Sequence, residues 1–127
     1  MKHLIASAAL AATLIAQPLV AHAQGCTIYQ HRDFGGSSWW FDAGDRMIMI
    51  EGEDLGCVNS EGGSCGYTYY DASWNDQLSS YTVDPGCEIW MWEDIDEGGA
   101  RWHSDRSYSY VGSDWNDEVS EVYCVCS

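Results

Sequence analysis

The stretch Tyr67-Thr-Tyr-Tyr-Asp-Ala-Ser-Trp-Asn-Asp-Gln-Leu-Ser-Ser-Tyr-Thr-Val83 decides the fold, because the chain writes it twice. From Tyr108 onward it recurs at an offset of 41, so that Tyr69 maps to Tyr110, Trp74 to Trp115, Asn75 to Asn116, Asp76 to Asp117 and Ser79 to Ser120. A repeat of this kind means that one supersecondary unit occurs twice, and it outranks any propensity argument. Each copy also has an earlier half. Tyr29-Gln-His-Arg-Asp-Phe-Gly-Gly-Ser-Ser-Trp39 matches Trp92-Glu-Asp-Ile-Asp-Glu-Gly-Gly-Ala-Arg-Trp102 at an offset of 63. The offsets differ by 22, so the first copy carries about that many extra residues between its halves, the segment 42–66. Two motifs follow, 26–83 and 87–126, divided at Asp84-Pro85-Gly86, whose residue types make a turn.

No stretch after residue 23 keeps a 3.6-residue apolar period. Short runs rich in Tyr, Trp, Val and Ile instead lie between Gly, Asp and Ser clusters, which is the pattern of an all-β domain of short antiparallel strands. The candidate strands are 26–30, 38–41, 47–50, 79–83, 88–93, 101–104 and 119–125. Tyr29, Phe34, Trp74, Trp92 and Trp115 read as core aromatics. The Gly that closes each earlier half, Gly36 or Gly99, suits a folded hairpin that needs positive φ, which Gly adopts without a Cβ clash.

The chain opens with Lys2, an apolar run from Leu4 to Ala16 and Ala21-His22-Ala23, the plan of a secretory signal peptide over 1–23. The run is shorter than the roughly 20 residues that span a bilayer. Export would leave a domain of 104 residues, 24–127, with four arginines against 20 carboxylates and a net charge of −16. Such a charge disfavours nucleic acid and anionic membranes and favours cations or basic partners. Seven Trp and eight Tyr argue against disorder. The six cysteines, Cys26, Cys57, Cys65, Cys87, Cys124 and Cys126, read in an exported domain as three disulfides of open connectivity. Cys124 and Cys126 are expected to face opposite ways on their strand and so to take different partners. Thiolate zinc is the weaker reading, as there is no C-x-x-C.

At this point the residues carry a resemblance. An aromatic residue, four positions, Phe, one position and Gly is the pattern of the βγ-crystallin Greek-key motif, and Tyr29-Gln-His-Arg-Asp-Phe34-Gly-Gly36 matches it. Asn75-Asp-Gln-Leu-Ser-Ser80 matches the Asn/Asp-Asn/Asp-x-x-Ser/Thr-Ser signature of the family's calcium-binding members. The second copy departs twice: Glu97 stands for the Phe and Glu121 for the last Ser, while Trp92, Gly99, Asn116, Asp117 and Ser120 remain. The chain after 23 thus resembles a disulfide-stabilised βγ-crystallin-like Greek-key β-sandwich of two motifs.

The resemblance implies two Ca2+ sites between the motifs, each drawing on both. The implied donors are the carbonyls of Gln77 and Glu118, the hydroxyls of Ser79 and Ser120, the carboxylates of Asp76 and Asp117, and carbonyls near Gln30 and Glu93. Calcium takes six to eight oxygens of these kinds. The plainer alternative is an Asx or Ser turn before a strand.

Other functions compete. An enzyme finds no G-x-S-x-G or H-E-x-x-H, and only His31 and His103 remain after export. A secreted protease could be a partner, since some bacterial metalloprotease inhibitors look like single disulfide-bonded crystallin domains and 42–66 would supply a preorganised loop. Carbohydrate could stack on Trp39, Trp40 or Trp102, of which adjacent Trp39 and Trp40 face opposite ways. The reading adopted is a secreted, non-enzymatic, calcium-stabilised domain.

Overall fold

The computed structural model describes residues 24–56 and 66–127; the leader reading on 1–23, and Cys57 and Cys65, fall outside the described residues. Eight strands form: β1 (Gly25–His31), β2 (Gly35–Asp42), β3 (Arg46–Ile48), β4 (Thr68–Tyr70), β5 (Ser80–Val83), β6 (Cys87–Asp94), β7 (Gly98–Ser104) and β8 (Glu121–Cys126). They make two sheets, ordered β2-β1-β5 and β4-β3-β8-β6-β7.

Period-two alternation places each sheet. Cys26 and Ile28 of β1, Ile89 and Met91 of β6, and Val122 and Cys124 of β8 are fully buried, while Thr27, Glu88, Trp90, Tyr123 and Val125 that alternate with them are only half-buried. The inner faces meet over Phe41, Met47, Leu78, Tyr81 and Val119, all at 0 % exposure. Each such side chain contributes about 1.5–3 kcal/mol by leaving water.

The motifs interlock. After the β1–β2 hairpin the first motif sends β3 into the other sheet, antiparallel to β8. The second motif returns the exchange through Tyr108, which bridges Tyr81 of β5. This is the Greek-key crossover that the resemblance implied, although in the second motif it has shrunk to a single bridge.

Four readings need correction. The strand β4 was not expected, and it pairs in parallel with β3, so the architecture is not purely antiparallel. The strands β2 and β7 begin at Gly35 and Gly98, earlier than expected, because each Gly-Gly lies inside the hairpin beside a bulge. Phe34 is 41 % exposed and lies outside the core, and half-buried Tyr29 does not join the core either. It packs edge-on against Tyr29, with ring centroids 5.6 Å apart, over the outside of its hairpin. Finally, Cys124 and Cys126 do have different partners, yet residues two apart on a strand share a face. Cys124 bonds Cys26, joining β8 to β1 of the opposite sheet, whereas Cys126 bonds Cys87, its cross-strand neighbour on β6.

The insertion is clasped at its base. Asp45, 1 % exposed, accepts hydrogen bonds from the amides of Asp42 (3.0 Å) and Tyr67 (2.9 Å). Burial raises its carboxyl above the ordinary 3.8, and those amide bonds offset part of the rise. Gly44 and Gly66 close the neck: a Cβ on Gly66 would lie 1.9 Å from the Gly44 carbonyl oxygen. No helix among the described residues is long and apolar enough to cross a membrane.

Candidate metal centre

Each repeated segment begins as a tight turn. In the first copy Ala72–Trp74 forms a short 3-10 turn that Asp71 caps by accepting the Ser73 amide, and buried Trp74 pins it to the core. The chain then reverses at Asp76, φ 58°, and the second copy reverses at Asp117, φ 59°. This left-handed region is open to Asp at modest cost. The turn reading of the repeated segments is therefore correct as far as it goes.

Hydrogen bonds between the motifs carry the geometry further. The Asp117 amide donates to the Leu78 carbonyl (3.1 Å), and the Asp76 amide to the Val119 carbonyl (3.0 Å). Each motif thereby delivers its Asp to the Ser of the other. The serines are fixed in turn by their own amides: Ser79 donates to the Tyr29 carbonyl (3.0 Å) and Ser120 to that of Trp92 (2.9 Å). The junction is reciprocal, with matching amide bonds given by each motif.

At the first position the Ser79 hydroxyl lies 2.8 Å from the Gln30 carbonyl and 3.5 Å from Asp117 Oδ1. The longer contact is too long for a strong hydrogen bond. Gln30, Ser79, Asp117, Gln77, Asn116 and Tyr110 line an open cleft of about 320 Å³. Two oxygens at neighbouring positions around one calcium ion, each about 2.4 Å from it, lie roughly 3 Å apart. The Ser79 hydroxyl meets that spacing to the Gln30 carbonyl and comes near it to the Asp117 carboxylate, and all three oxygens are hard donors, so the residues fit the ion. His31 and Arg32 also line the cleft. The Arg32 guanidinium stacks 4.3 Å over the Tyr110 ring and lies 3.8 Å from the Asp33 carboxylate.

The second position has the same backbone frame, with half-buried Ser120, exposed Asp76 and Glu118, and Glu93 at the corresponding place on β6. Two of its side chains are turned to local partners. Glu93 Oε1 accepts the Ala100 amide (3.2 Å) and Asp76 Oδ2 accepts Asn75 Nδ2 (3.2 Å). The structure brings the Ser79 and Asp117 side chains together with the Gln30 carbonyl, and sets the chain at Glu93, Ser120 and Asp76 in the matching backbone frame.

Behind both positions stand the two hairpins, where Gly36 and Gly99 take the positive φ expected of them, while sequence reading assigns no role to Asp33, Asp96 or Arg46. The two hairpins carry consecutive left-handed residues, Asp33 and Phe34 (φ 58° and 60°) and Asp96 and Glu97 (58° and 56°), before Gly36 (76°) and Gly99 (71°). A Cβ on Gly36 would sit 2.5 Å from the His31 ring, which is why Gly is needed there. The residue after each serine holds the hairpin down. Ser80 Oγ accepts the Phe34 amide (3.1 Å) and donates to the His31 carbonyl (2.6 Å). Glu121, 1 % exposed, accepts the amides of Asp96 (2.8 Å) and Glu97 (3.3 Å) on one oxygen and pairs with Arg46 through the other. Arg46 reaches Glu97 as well (3.0 Å) and stacks 4.3 Å over Tyr123. The departure of Glu121 from the signature was a legible hint that this position does something other than bind the ion.

Among the tryptophans, Trp39 and Trp102 pack against the core, the latter donating from Nε1 to the Tyr81 hydroxyl (3.0 Å); Trp40 is 44 % exposed.

No protein-family model and no curated protein matches the chain. Solved structures do. The chain is similar to a βγ-crystallin domain from Clostridium beijerinckii, 19 % identical over 82 % of this chain and 100 % of that one, TM-score 0.56. It is also similar to one from Flavobacterium johnsoniae, at 20 % identity, 80 % and 94 % coverage and TM-score 0.55. A third likeness is to the N-terminal domain of protein S, at 16 % identity, 80 % and 96 % coverage and TM-score 0.54. Identities this low speak for architecture alone, and the architecture is the one the sequence resembles: a disulfide-bonded βγ-crystallin-like Greek-key β-sandwich of two motifs.

Proposed function

We propose that this is a secreted, non-enzymatic domain that binds calcium at the junction of its two motifs and is stabilised by it. The observation that carries the reading is the exchange of aspartates: the Asp117 amide on Leu78 and the Asp76 amide on Val119 bring each aspartate's backbone next to the other motif's serine, and Asp117 Oδ1 stands 3.5 Å from the Ser79 hydroxyl. A cation held there would bridge the motifs, and it would relieve repulsion in a domain with 20 carboxylates and four arginines. The chain's own part is to hold Gln30, Ser79, Asp117 and Gln77 at one position, where the oxygens already converge, and Glu93, Ser120, Asp76 and Glu118 at the other, where the Asp76 carboxylate would turn from Asn75 to join the set. Calcium, when bound, supplies the charge that those oxygens share. The signature over 1–23 supports export. Titration calorimetry with calcium tests the reading. Two binding events are expected, in the Kd range of extracellular modules on the order of 10⁻⁴–10⁻³ M. No heat beyond dilution up to millimolar calcium would remove it.

A second reading, inhibition of a secreted protease, rests on the clasped neck of the insertion. Asp45 and the Gly44–Gly66 approach close its base, while Ile50 and Leu55 stand 39 % and 50 % exposed. A loop whose base is held before binding loses less entropy on docking. Absence of inhibition across secreted metallo- and serine proteases at micromolar protein would exclude it.

A further inference from the structure

The two disulfides of the described residues are neighbours in space. The sulfurs of Cys87, Cys124 and Cys126 all lie within 4.8 Å of one another. They belong to two different bonds, Cys26–Cys124 and Cys87–Cys126. The pairs differ in position and in access. Cys26 and Cys124 are both at 0 % exposure and tie one sheet to the other, whereas Cys126 is half-buried on the rim of its sheet. The rim is open: Cys87, Cys126 and Ser127 line a cleft of about 330 Å³. A reductant can therefore reach Cys126 but not the inter-sheet bond.

We propose that the two bonds are exchange-coupled, so that the rim disulfide is the entry through which the inter-sheet disulfide opens. The chemistry balances with a dithiol as reductant. One thiolate of the dithiol attacks Cys126 Sγ, forming a mixed disulfide and expelling Cys87 as thiolate. The second thiol of the dithiol closes on the first, leaving an oxidised dithiol and a Cys126 thiol. The Cys87 thiolate attacks Cys124 Sγ; the Cys87–Cys124 bond forms, the Cys26–Cys124 bond breaks, and Cys26 leaves as thiolate and takes up a proton. Thiolate attack on a neighbouring disulfide sulfur is the ordinary course of thiol–disulfide exchange. The outcome is a change of tie. A bridge between the sheets becomes a bridge between adjacent strands β6 and β8 of one sheet. The β1 strand, which carries Gln30 of the first metal position, then keeps only its non-covalent contacts with the other sheet.

The test uses the exported protein, its cysteines mapped by mass spectrometry after brief exposure to dithiothreitol and acid-quenched alkylation, with Cys57 and Cys65 read separately. The relay predicts a species alkylated at Cys26 and Cys126 in which Cys87 is bridged to Cys124. A species alkylated at Cys87 and Cys126, with Cys26–Cys124 intact until both bonds are gone, would overturn it. The Cys87→Ser/Cys126→Ser double variant gives a second reading of opposite sign. A thiol held within one fold acts at an effective concentration on the order of millimolar. Against about 0.1 mM dithiol, loss of the relay should therefore slow opening of Cys26–Cys124 about tenfold. Without a relay, the looser variant would open that bond as fast as the parent or faster. If the variant does not fold, the mapping of the parent protein still decides.

Discussion

In the first motif a single hydroxyl, that of Ser80, ties the β1–β2 hairpin down; in the second a carboxylate, Glu121, does the same work with Arg46 as its counter-ion. Backbone geometry at the two places is nearly the same, with matching left-handed residues and matching amide bonds at each serine. The difference lies in what closes the hairpin from outside. Phe34 covers Tyr29 by ring contact, while Glu97 turns to Arg46, which lies 5.5 Å over the Trp92 ring. One backbone solution thus accepts an apolar brace or an ionic one. The ionic brace also reaches across motifs, because Arg46 sits on β3, the strand the first motif lends to the second motif's sheet.

Truncating the braces should separate them most clearly. Glu121→Ala would leave the amides of Asp96 and Glu97 without their acceptor and would take from Arg46 its buried partner, at a cost of about 3 kcal/mol or more. Ser80→Ala removes a buried hydroxyl with two hydrogen bonds and should cost about 1–2 kcal/mol. Urea unfolding of the two variants checks the order; equal costs would mean that the ionic brace adds nothing beyond the hydrogen bonds.

The metal positions can be compared in the same way. Asp117→Ala and Ser79→Ala should abolish the stronger share of the calcium response, since those side chains already converge with Gln30, and Asp76→Ala and Ser120→Ala the weaker share. Calorimetry of the four variants reads this directly. A greater loss from the second set would reverse the ranking of the two positions.

The smallest effect is expected from Glu97→Phe. The position already has the φ at which Phe34 stands, 56° against 60°, so the backbone should accept the ring. The variant gives up a half-exposed ion pair, worth about 1 kcal/mol or less, and gains an aromatic contact with Trp92. Its unfolding midpoint should lie close to that of the parent. A large loss would show that Arg46 needs both carboxylates.

The offsets of 41 and 63 made the two-motif plan legible, because repeated spacing reports shared backbone geometry whatever the side chains do. Alternation placed β1, β6 and β8 to within a residue or two. Thr68–Tyr70 was hidden for a physical reason: three residues are too few to show a period, and their partner β3 runs parallel to them from before the insertion. Phe34 looked like core because aromatic residues usually are, yet its hairpin folds back so that the ring lies over the outer face. At the motif junction the signature pointed to Ser79 and Asp117. It could not reveal that Leu78 and Val119 lend their carbonyls to seat the opposite aspartates, since backbone donors and acceptors are written at every position alike.

The central claim is that the motif junction binds calcium and that the fold is stabilised by it. The most direct measurement is the melting temperature in millimolar calcium, in millimolar magnesium and in chelator, at constant ionic strength. A ligand that binds only the folded form stabilises it by RT ln(1 + [L]/Kd), about 2.7 kcal/mol at a hundredfold excess over Kd. The account predicts a clear rise in calcium and a much smaller one in magnesium, which demands octahedral geometry and sheds water reluctantly. Coincident curves in calcium and chelator, or an equal rise in magnesium, would contradict it and leave Asn75–Ser80 and its repeat as turns alone.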